Sequence, residues 1–346
     1  MYTTLSEYLV NQPGEKQFAM VSFFITNPVA LRKLKAQWAL RNPEHSTVLG
    51  RTVNQLQITL HEEFGGSIAL VDPCKLEEGF VTEFPVPSAF GMCVNKWDNS
   101  LCVTSDLVLR KVKDGRCMKV MNNPLFNDLH TCTLTVSGNL LVTSTGTDAI
   151  LEVDLEDASK VHWDWLATEH GYNTTPTGKL RTIDRELNYQ AVVTTTPEHT
   201  THINTALNDC PNRILATLFH QGDLIEIDRT SKQSQVVLSG LKSPHNIRRR
   251  RDGFMVCDTR ANRVLLLNYK FRIEKELRGD FNWVQDAIEL EGNTSYLVGD
   301  SNNDRLVRLD YSGKISSVLK WPSSSRKIAG MELITATQAR HIFLQD

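Results

Sequence analysis

The sequence predicts an all-β fold: a six-bladed β-propeller of four-stranded antiparallel blades, whose ring is closed by N-terminal strands. Two observations lead to this prediction. From about Gln55 onward helical periodicity nearly vanishes, and short strand patterns alternate with turns rich in Gly, Asn, Asp and Pro. In addition, one strand–turn–strand phrase recurs at a period of about 40 residues, which is the size of a propeller blade.

Four copies of this repeat are clear. Each contains a second strand, a polar turn and a third strand, and each is followed by an outer strand after another turn. The second and third strands of the four copies begin near Gly138 and Asp148, Asn212 and Gly222, Phe254 and Asn262, and Tyr296 and Asp304. A weaker copy occupies residues 86–124, so the repeats run through most of the chain.

The last repeat is incomplete, and this predicts how the ring closes. It has an inner strand at residues 330–334 and a second strand at residues 341–344, and then the sequence ends. Two further strand patterns, at residues 67–72 and 79–84, precede the first full repeat. If these strands complete the last blade, the sheet loses its open edges and the ring has six blades.

We expect two regions in the chain. Residues 1–65 form an N-terminal extension with one helix at residues 27–42, and residues 66–346 form the propeller. Asn27 and Pro28 provide a capping side chain and a proline at the first helical position, which is good chemistry for a helix start. The extension is therefore expected to be a small helical element beside the propeller.

Composition restricts the function classes. The chain has 346 residues and a net charge of -2, which argues against nucleic acid or an anionic membrane as the main partner. Its seven cysteines form no CxxC pair, and an odd number without framework spacing favours a reducing compartment. We find neither a secretory signal nor a membrane-spanning run. We expect a cytoplasmic protein with a small-molecule substrate, and the oligomeric state stays open.

Three histidines provide the clearest functional signal. When the inner strands are aligned by the repeat, His130, His202 and His245 share one position in blades two, three and four. Inner strands line the channel, so the three imidazoles would form a facial site for a divalent metal: zinc first, with iron, copper or calcium as alternatives. The competing interpretation is that each is a polar channel residue bonded to its neighbours. The other blades carry Phe90, Gln285 and Ala329 at this position.

Further polar residues are expected around the channel mouth. The loops between second and third strands open on the face where the inner strands begin, as does the insertion at residues 168–199 between blades two and three. His220 is a candidate general acid or base, because imidazole titrates near neutral pH. Arg260 is a candidate for binding a carboxylate or phosphate. Gln285 is a third catalytic candidate, which could orient a water molecule or add a ligand.

Other motifs are weak or absent. The basic run Arg248–Arg251 leads into a turn, and we interpret it as the solvated end of a hairpin, far from His245. The sequence contains no nucleophile elbow, phosphate-binding loop or metalloprotease signature. The histidine positions therefore carry the functional argument.

Two phrases of the repeat, residues 256–264 and 298–306, resemble the repeat of NHL-type six-bladed propellers, a group that includes gluconolactonase-like and strictosidine synthase-like proteins. The resemblance covers about residues 66–346 and implies a fold rather than a reaction. Within this group, peptidylglycine amidating lyase presents three histidines from separate blades to one metal on the axis. His130, His202 and His245 look similar to that arrangement.

These features predict an enzyme that acts on a small organic molecule at the channel mouth. The leading hypothesis is lyase or hydrolase chemistry at a tris-histidine divalent metal site. The first alternative is a metal-free propeller enzyme that uses histidine acid–base catalysis in a condensation or cyclisation. The second alternative is a non-catalytic binding scaffold. Bound metal would separate the leading hypothesis from the other two.

Overall fold

A computed structural model describes residues 5–27, 29–30, 64–192, 194–290, 295–323 and 325–344. Its strands form six antiparallel sheets of four strands each, which confirms the predicted six-bladed propeller. Two α-helices are described in full: α1, Leu5–Val10, and α2, Ala336–Phe343. The strands β1 to β24 are, in order, Gln17–Ile25, Ser67–Val71, Phe80–Pro85, Ala89–Val94, Leu101–Ser105, Val108–Lys113, Arg116–Met121, Leu129–Leu134, Leu140–Ser144, Ala149–Val153, Val161–Leu166, Ile203–Cys210, Arg213–Leu218, Asp223–Asp228, Ser234–Leu238, Pro244–Arg250, Gly253–Asp258, Arg263–Leu267, Ile273–Leu277, Val284–Glu289, Ser295–Asp300, Arg305–Asp310, Ile315–Lys320 and Lys327–Thr335.

The first five blades follow the chain order. They are β4–β7, β8–β11, β12–β15, β16–β19 and β20–β23, and each begins with its inner strand. The second strands β9, β17 and β21 are buried along their whole length, whereas the outermost strands β7 and β19 are mostly exposed. Apolar side chains pack between neighbouring blades, so the core consists of layers arranged around the axis.

The sixth blade joins the two ends of the chain, in the order β24–β1–β2–β3. Its second strand is β1, which pairs with β24 through partners such as Met20 and Glu332. The prediction of a second strand at residues 341–344 was wrong, since α2 extends to Phe343. Thr335 and Gln338 form a capping box that starts this helix, a local signal that the strand prediction overlooked.

Most of the helix predicted at residues 27–42 lies outside the described residues. At its expected start, Asn27 Oδ1 accepts hydrogen bonds from the amides of Val29 (3.0 Å) and Ala30 (3.3 Å), as an N-capping residue does. The chain leaves the sixth blade here and returns at Phe64, whose carbonyl accepts the Asn27 amide (3.0 Å). Within the described parts of the chain, no helix has the length and apolar character needed to cross a bilayer.

The turns between second and third strands share a left-handed residue. Asp148, Asn262 and Asp304 adopt φ values of 50°, 53° and 53° at matched positions, where short polar side chains are tolerated. Blade three has Gly222 there, with φ 71°. A Cβ on this glycine would overlap the carbonyl of Leu241, so only glycine fits.

Arg248 lies in the channel, contrary to the prediction of a solvated hairpin end. It donates two hydrogen bonds to Asp286 (2.9 and 2.7 Å) and one to Glu332 (3.2 Å), and it also reaches the Met331 carbonyl. The shift in pairing between Pro244 and Ile247 changes which residues of this strand face the channel. Arg248 therefore links blade four to blades five and six.

Candidate functional site

The strand register corrects the repeat alignment of the three histidines. His130 and His245 are the second residues of β8 and β16, as expected. The second residue of β12 is Asn204, whereas His202 precedes the strand, with φ 50°. The insertion ends directly before this strand, so counting repeats along the sequence misplaced the histidine by two residues.

The channel mouth is lined by two tiers of side chains. The upper tier consists of the left-handed residues that precede the inner strands, and the lower tier consists of the second residues of the first five inner strands and the third residue of β24. Ring contacts join the two tiers, such as those of His130 with His202 and of His245 with Trp283. The upper tier is Ser88, Asp128, His202, Ser243 and Trp283, and the lower tier is Phe90, His130, Asn204, His245, Gln285 and Ala329.

Seven rings form a chain of contacts around this mouth, which we call the aromatic collar. The centroids of successive rings are 4.8, 5.1, 5.1, 4.9, 5.5 and 5.6 Å apart. In order, the rings belong to Phe24, Phe90, His130, His202, Phe219, His245 and Trp283. All six blades contribute, and the collar brings together the three histidines that the sequence singled out.

Two of the collar histidines have tautomers set by backbone carbonyls. His130 Nδ1 lies 3.0 Å from the carbonyl of Asp128, and His245 Nδ1 lies 3.2 Å from that of Ser243. A carbonyl only accepts, so Nδ1 carries a proton in both rings, and in the neutral form of this tautomer the lone pair is on Nε2. Burial, together with the nearby His130, lowers the pKa of His245 to about 3. His245 is therefore a neutral acceptor at neutral pH.

A hydrogen-bond chain begins at Asn127, beneath the insertion. Asn127 Nδ2 donates to the carbonyls of Tyr189 and Val192, both at 2.7 Å, which orients Oδ1 toward Thr194. The Thr194 hydroxyl donates to that oxygen at 2.7 Å. Since this hydroxyl has only one proton, Thr194 Oγ1 is free to accept from another donor. Gly146 makes room, because a Cβ there would overlap Asn127 Oδ1.

The chain continues through His199 to His202. His199 Nε2 donates to Thr194 Oγ1 (3.1 Å), which leaves His199 Nδ1 without a proton. This nitrogen lies 2.7 Å from His202 Nδ1, so His202 is the donor. The rings are within 14° of coplanar with centres 5.0 Å apart, as expected when the two nitrogens face each other along one line. His202 is thus held with a proton on Nδ1 and a lone pair on Nε2.

Burial keeps this pair of imidazoles neutral. The pKa of His202 lies well below its usual value because the ring is buried, and because His199, His130, His220 and His245 surround it. Burial also lowers the pKa of His199 to about 4. At neutral pH, His202 Nε2 is therefore available to accept a proton or to bind a metal.

Asp148 fixes the end of the insertion that carries His202. Its carboxylate accepts the amides of Thr200 (2.8 Å), Thr201 (2.9 Å) and His202 (2.9 Å), and it forms an ion pair with Arg181 (2.6 Å). Burial alone would raise the pKa of Asp148, but His199, Arg181 and the amides keep it below its usual value. The backbone of His202 is consequently set by a buried charge.

His220 and Arg260 occupy the same turn position in neighbouring blades. His220 Nε2 donates to the carbonyl of Thr196 in the insertion (2.9 Å), and its ring centre is 5.7 Å from that of His202. Burial lowers the pKa of His220. Arg260 is exposed, and its guanidinium lies over the rings of Phe219 (5.5 Å) and Trp283 (5.8 Å). Both residues are at the mouth, as predicted.

Gln285 belongs to the lower tier, but other groups occupy its amide. Its Oε1 accepts the indole Nε1 of Trp283 at 2.9 Å, and its Nε2 donates to the carbonyl of Ala329 at 3.4 Å. Gln285 therefore sets the orientation of the Trp283 ring. This contact supports a positioning role rather than the predicted catalytic one.

The residues that offer closely spaced metal-ligand atoms only partly match the prediction. In the described part of the chain, Asp128, His199 and His202 have ligand atoms within 4.8 Å of one another, and only His202 belongs to the predicted set. Asn204 lies between His130 and His245 in the lower tier, and its buried Oδ1 has no hydrogen-bond partner among the described residues. Asp128 and His199 were detectable in the sequence only as polar neighbours of the singled-out histidines.

Comparisons with known proteins support the architecture. No protein-family model matches this chain, and no curated protein matches it. A protein of unknown function from Bacteroides caccae is similar in structure, with 19% identity and a TM-score of 0.52 over 78% of this chain and 94% of its own. A chain of a nidogen/laminin complex has 9% identity and a TM-score of 0.52 over 78% and 95%. At such identities the likeness shows the fold alone.

A lyase also has a similar structure. Virginiamycin B lyase from Staphylococcus aureus has 12% identity and a TM-score of 0.48, over 79% of this chain and 89% of its own. The roles of the mouth residues described above rest on their own geometry.

Proposed function

We propose that this protein is an enzyme that acts on a small organic molecule at the channel mouth by lyase or hydrolase chemistry, with His202 as the proton acceptor. One observation carries the proposal: the hydrogen-bond chain from Asn127 through Thr194 and His199, which leaves His202 Nε2 unprotonated. A general base needs a lone pair held in a defined direction.

The proposed step is a proton transfer to His202 Nε2 from a substrate carbon next to a carbonyl, or from an attacking water. His202 keeps its Nδ1 proton and donates it to His199 Nδ1 throughout, so the ring does not rotate as it becomes charged. The protonated His202 then returns this proton to the leaving group, and His220, whose ring lies beside that of His202, is held in place through its Nε2 on the Thr196 carbonyl. Thr194 and Asn127 are positioning residues in this scheme.

The test compares wild-type protein with His202→Gln on two substrate panels: esters and lactones for hydrolysis, and β-substituted carboxylic acids for elimination. We expect turnover in one panel and a loss of about 100-fold or more in the variant, because positioned proton transfer contributes at least that factor. Equal rates for both proteins across both panels would contradict the proposal.

Thr194→Val tests the hydrogen-bond chain separately. Without the hydroxyl, His199 loses the partner of its Nε2, so we expect a fall in activity of about tenfold and a change in the imidazole nitrogen NMR signals of His202. Thr194→Ser keeps the hydroxyl and is expected to restore both. Thr230→Val removes an exposed threonine hydroxyl from a distant turn and serves as the matched control.

A metal-dependent enzyme is the second candidate. The observation that favours it is the lower tier, where His130 and His245 donate through Nδ1 to backbone carbonyls and flank Asn204, whose buried Oδ1 has no partner among the described residues. Nitrogen and oxygen donors of this kind suit zinc or iron, and backbone carbonyls fix the two rings as ligand-supporting groups do.

Metal analysis of tag-free protein distinguishes the candidate ligand sets. If the lower tier binds the ion, near-stoichiometric metal in wild type falls in His245→Ala and stays in His199→Ala. If Asp128, His199 and His202 bind it, the pattern reverses. No metal in wild type, even after reconstitution with zinc or iron, would contradict the second candidate and leave acid–base catalysis.

A further inference from the structure

Arg260 is a cation at the channel mouth whose contacts differ from those of other arginines near these turns. Two arginines that follow matched turns form ion pairs: Arg263 with Asp258 and Arg305 with Asp300, both at 2.6–2.7 Å. Arg260 instead lies over two rings of the collar, and no carboxylate of the described residues is an ion-pair partner of its guanidinium. Stacking on two rings holds the guanidinium in place while its N–H donors stay available.

The rings beneath Arg260 are fixed. Trp283 has φ 67°, a conformation that is unfavourable for a bulky residue and is kept only where the surroundings hold it. Its indole donates to Gln285, which in turn donates to the Ala329 carbonyl, so the ring cannot turn freely. Phe219 is packed between His202 and His245. The rings of Trp283 and Phe219 thus form a rigid aromatic surface beside the histidines, which we call the aromatic wall.

We propose that the substrate is a planar organic anion: its carboxylate or sulfonate pairs with Arg260, and its aromatic body lies against Trp283 and Phe219. This inference rests on the proposed function for where the reacting atoms lie. With the anionic group on Arg260, the body of the molecule extends over the collar toward His202 and His245. The neutral imidazoles do not compete with Arg260 for the anion, and the arginine disfavours cationic ligands.

The test is calorimetric binding of two probes with the same rings, naphthalene carboxylate and the uncharged naphthalene methanol. We expect wild type to bind the carboxylate about tenfold more tightly or better, as a charge-assisted hydrogen bond provides. Arg260→Gln should abolish this preference. Arg251→Gln removes the same charge at an exposed turn on the opposite face and should leave the preference unchanged.

A second variant examines the aromatic wall. Trp283→Leu removes the indole and should weaken both probes by about threefold or more. The inference is overturned if wild type binds neither probe, if it binds both equally, or if Arg251→Gln lowers the preference as much as Arg260→Gln does.

The binding result is independent of turnover. Binding of the carboxylate through Arg260, with no activity on either substrate panel, would support this inference and contradict the proposed function. Turnover of uncharged aliphatic compounds that depends on His202, without carboxylate binding, would support the function and overturn the inference.

Discussion

At the scale of single residues, the positions of the protons on the imidazole rings determine which nitrogen atoms can accept a proton or bind a metal. His199, His202 and His245 are buried, and each described contact of an Nδ1 assigns a tautomer. The amide orientation of Asn127 decides where the proton lies on Thr194 and, through Thr194, on His199 and His202. A conservative change at Asn127 would therefore act on His202 from a distance.

The lowered pKa values predict how stability depends on pH. His199 has a pKa of about 4 and His245 a pKa of about 3 in the folded protein. Both rings therefore stay neutral at a pH somewhat below 6.5, the ordinary pKa of histidine. Between pH 6.5 and about 4 the unfolded chain binds protons that the folded protein excludes, so the free energy of unfolding falls as pH falls. For His199 the loss is on the order of 3 kcal/mol.

Urea unfolding of wild type and His199→Phe across this pH range measures the effect. The variant lacks one of the histidines that take up a proton on unfolding, so its stability should fall less steeply with decreasing pH. The slope is compared rather than the absolute stability, so a change in packing does not obscure the result. Identical slopes would show that His199 binds its proton equally well in the folded protein.

At the scale of elements, the insertion is a packed part of the propeller. Ile183 and Tyr189 are buried in the core of the first two blades, and Arg181 reaches the buried carboxylate of Asp148. The insertion supplies Thr194 and His199 to the hydrogen-bond chain and then places His202 at the mouth. Blade three therefore differs from its neighbours, because its mouth histidine precedes the inner strand, whereas those of blades two and four lie within their inner strands.

The turn between second and third strands is the second functional element. Its left-handed residue is provided by Asp, Asn or Gly, and the position two residues earlier points to the mouth. That position holds His220 in blade three and Arg260 in blade four. The aspartates that precede these turns, Asp258 and Asp300, are buried and bonded to Arg263 and Arg305, so they stabilise the turns instead of binding ligand.

At the scale of the whole molecule, the ring is held closed by two long-range contacts. Strand β1 completes the blade that begins with β24, and Arg248 connects three inner strands across the channel. The Asp286 side chain is fully buried, whereas that of Arg248 is 27% exposed. Burial raises the pKa of Glu332, and Arg248 opposes this effect. The pKa of Glu332 therefore depends on the charge of Arg248.

Arg248→Met is expected to destabilise the protein by about 3 kcal/mol, because it leaves the buried carboxylate of Asp286 without its partner. Arg249→Met is the matched control on the same strand: Arg249 is exposed and donates to the Asp209 carbonyl, so its loss should cost less than about 1 kcal/mol. Urea unfolding of both variants measures the difference. Equal losses would mean that the channel cluster adds no stability.

The sequence by itself determined the repeat architecture and the identity of most mouth residues. Strand alternation and turn chemistry are local properties, so the blades, the six-fold ring and the positions of His130, His245, His220 and Arg260 could be predicted. The tertiary structure alone decided the tier of His202, its bond to His199, the channel position of Arg248, and the use of residues 17–25 to close the ring. These features depend on bulges and on contacts between distant segments, and neither can be predicted from the local periodicity of the sequence.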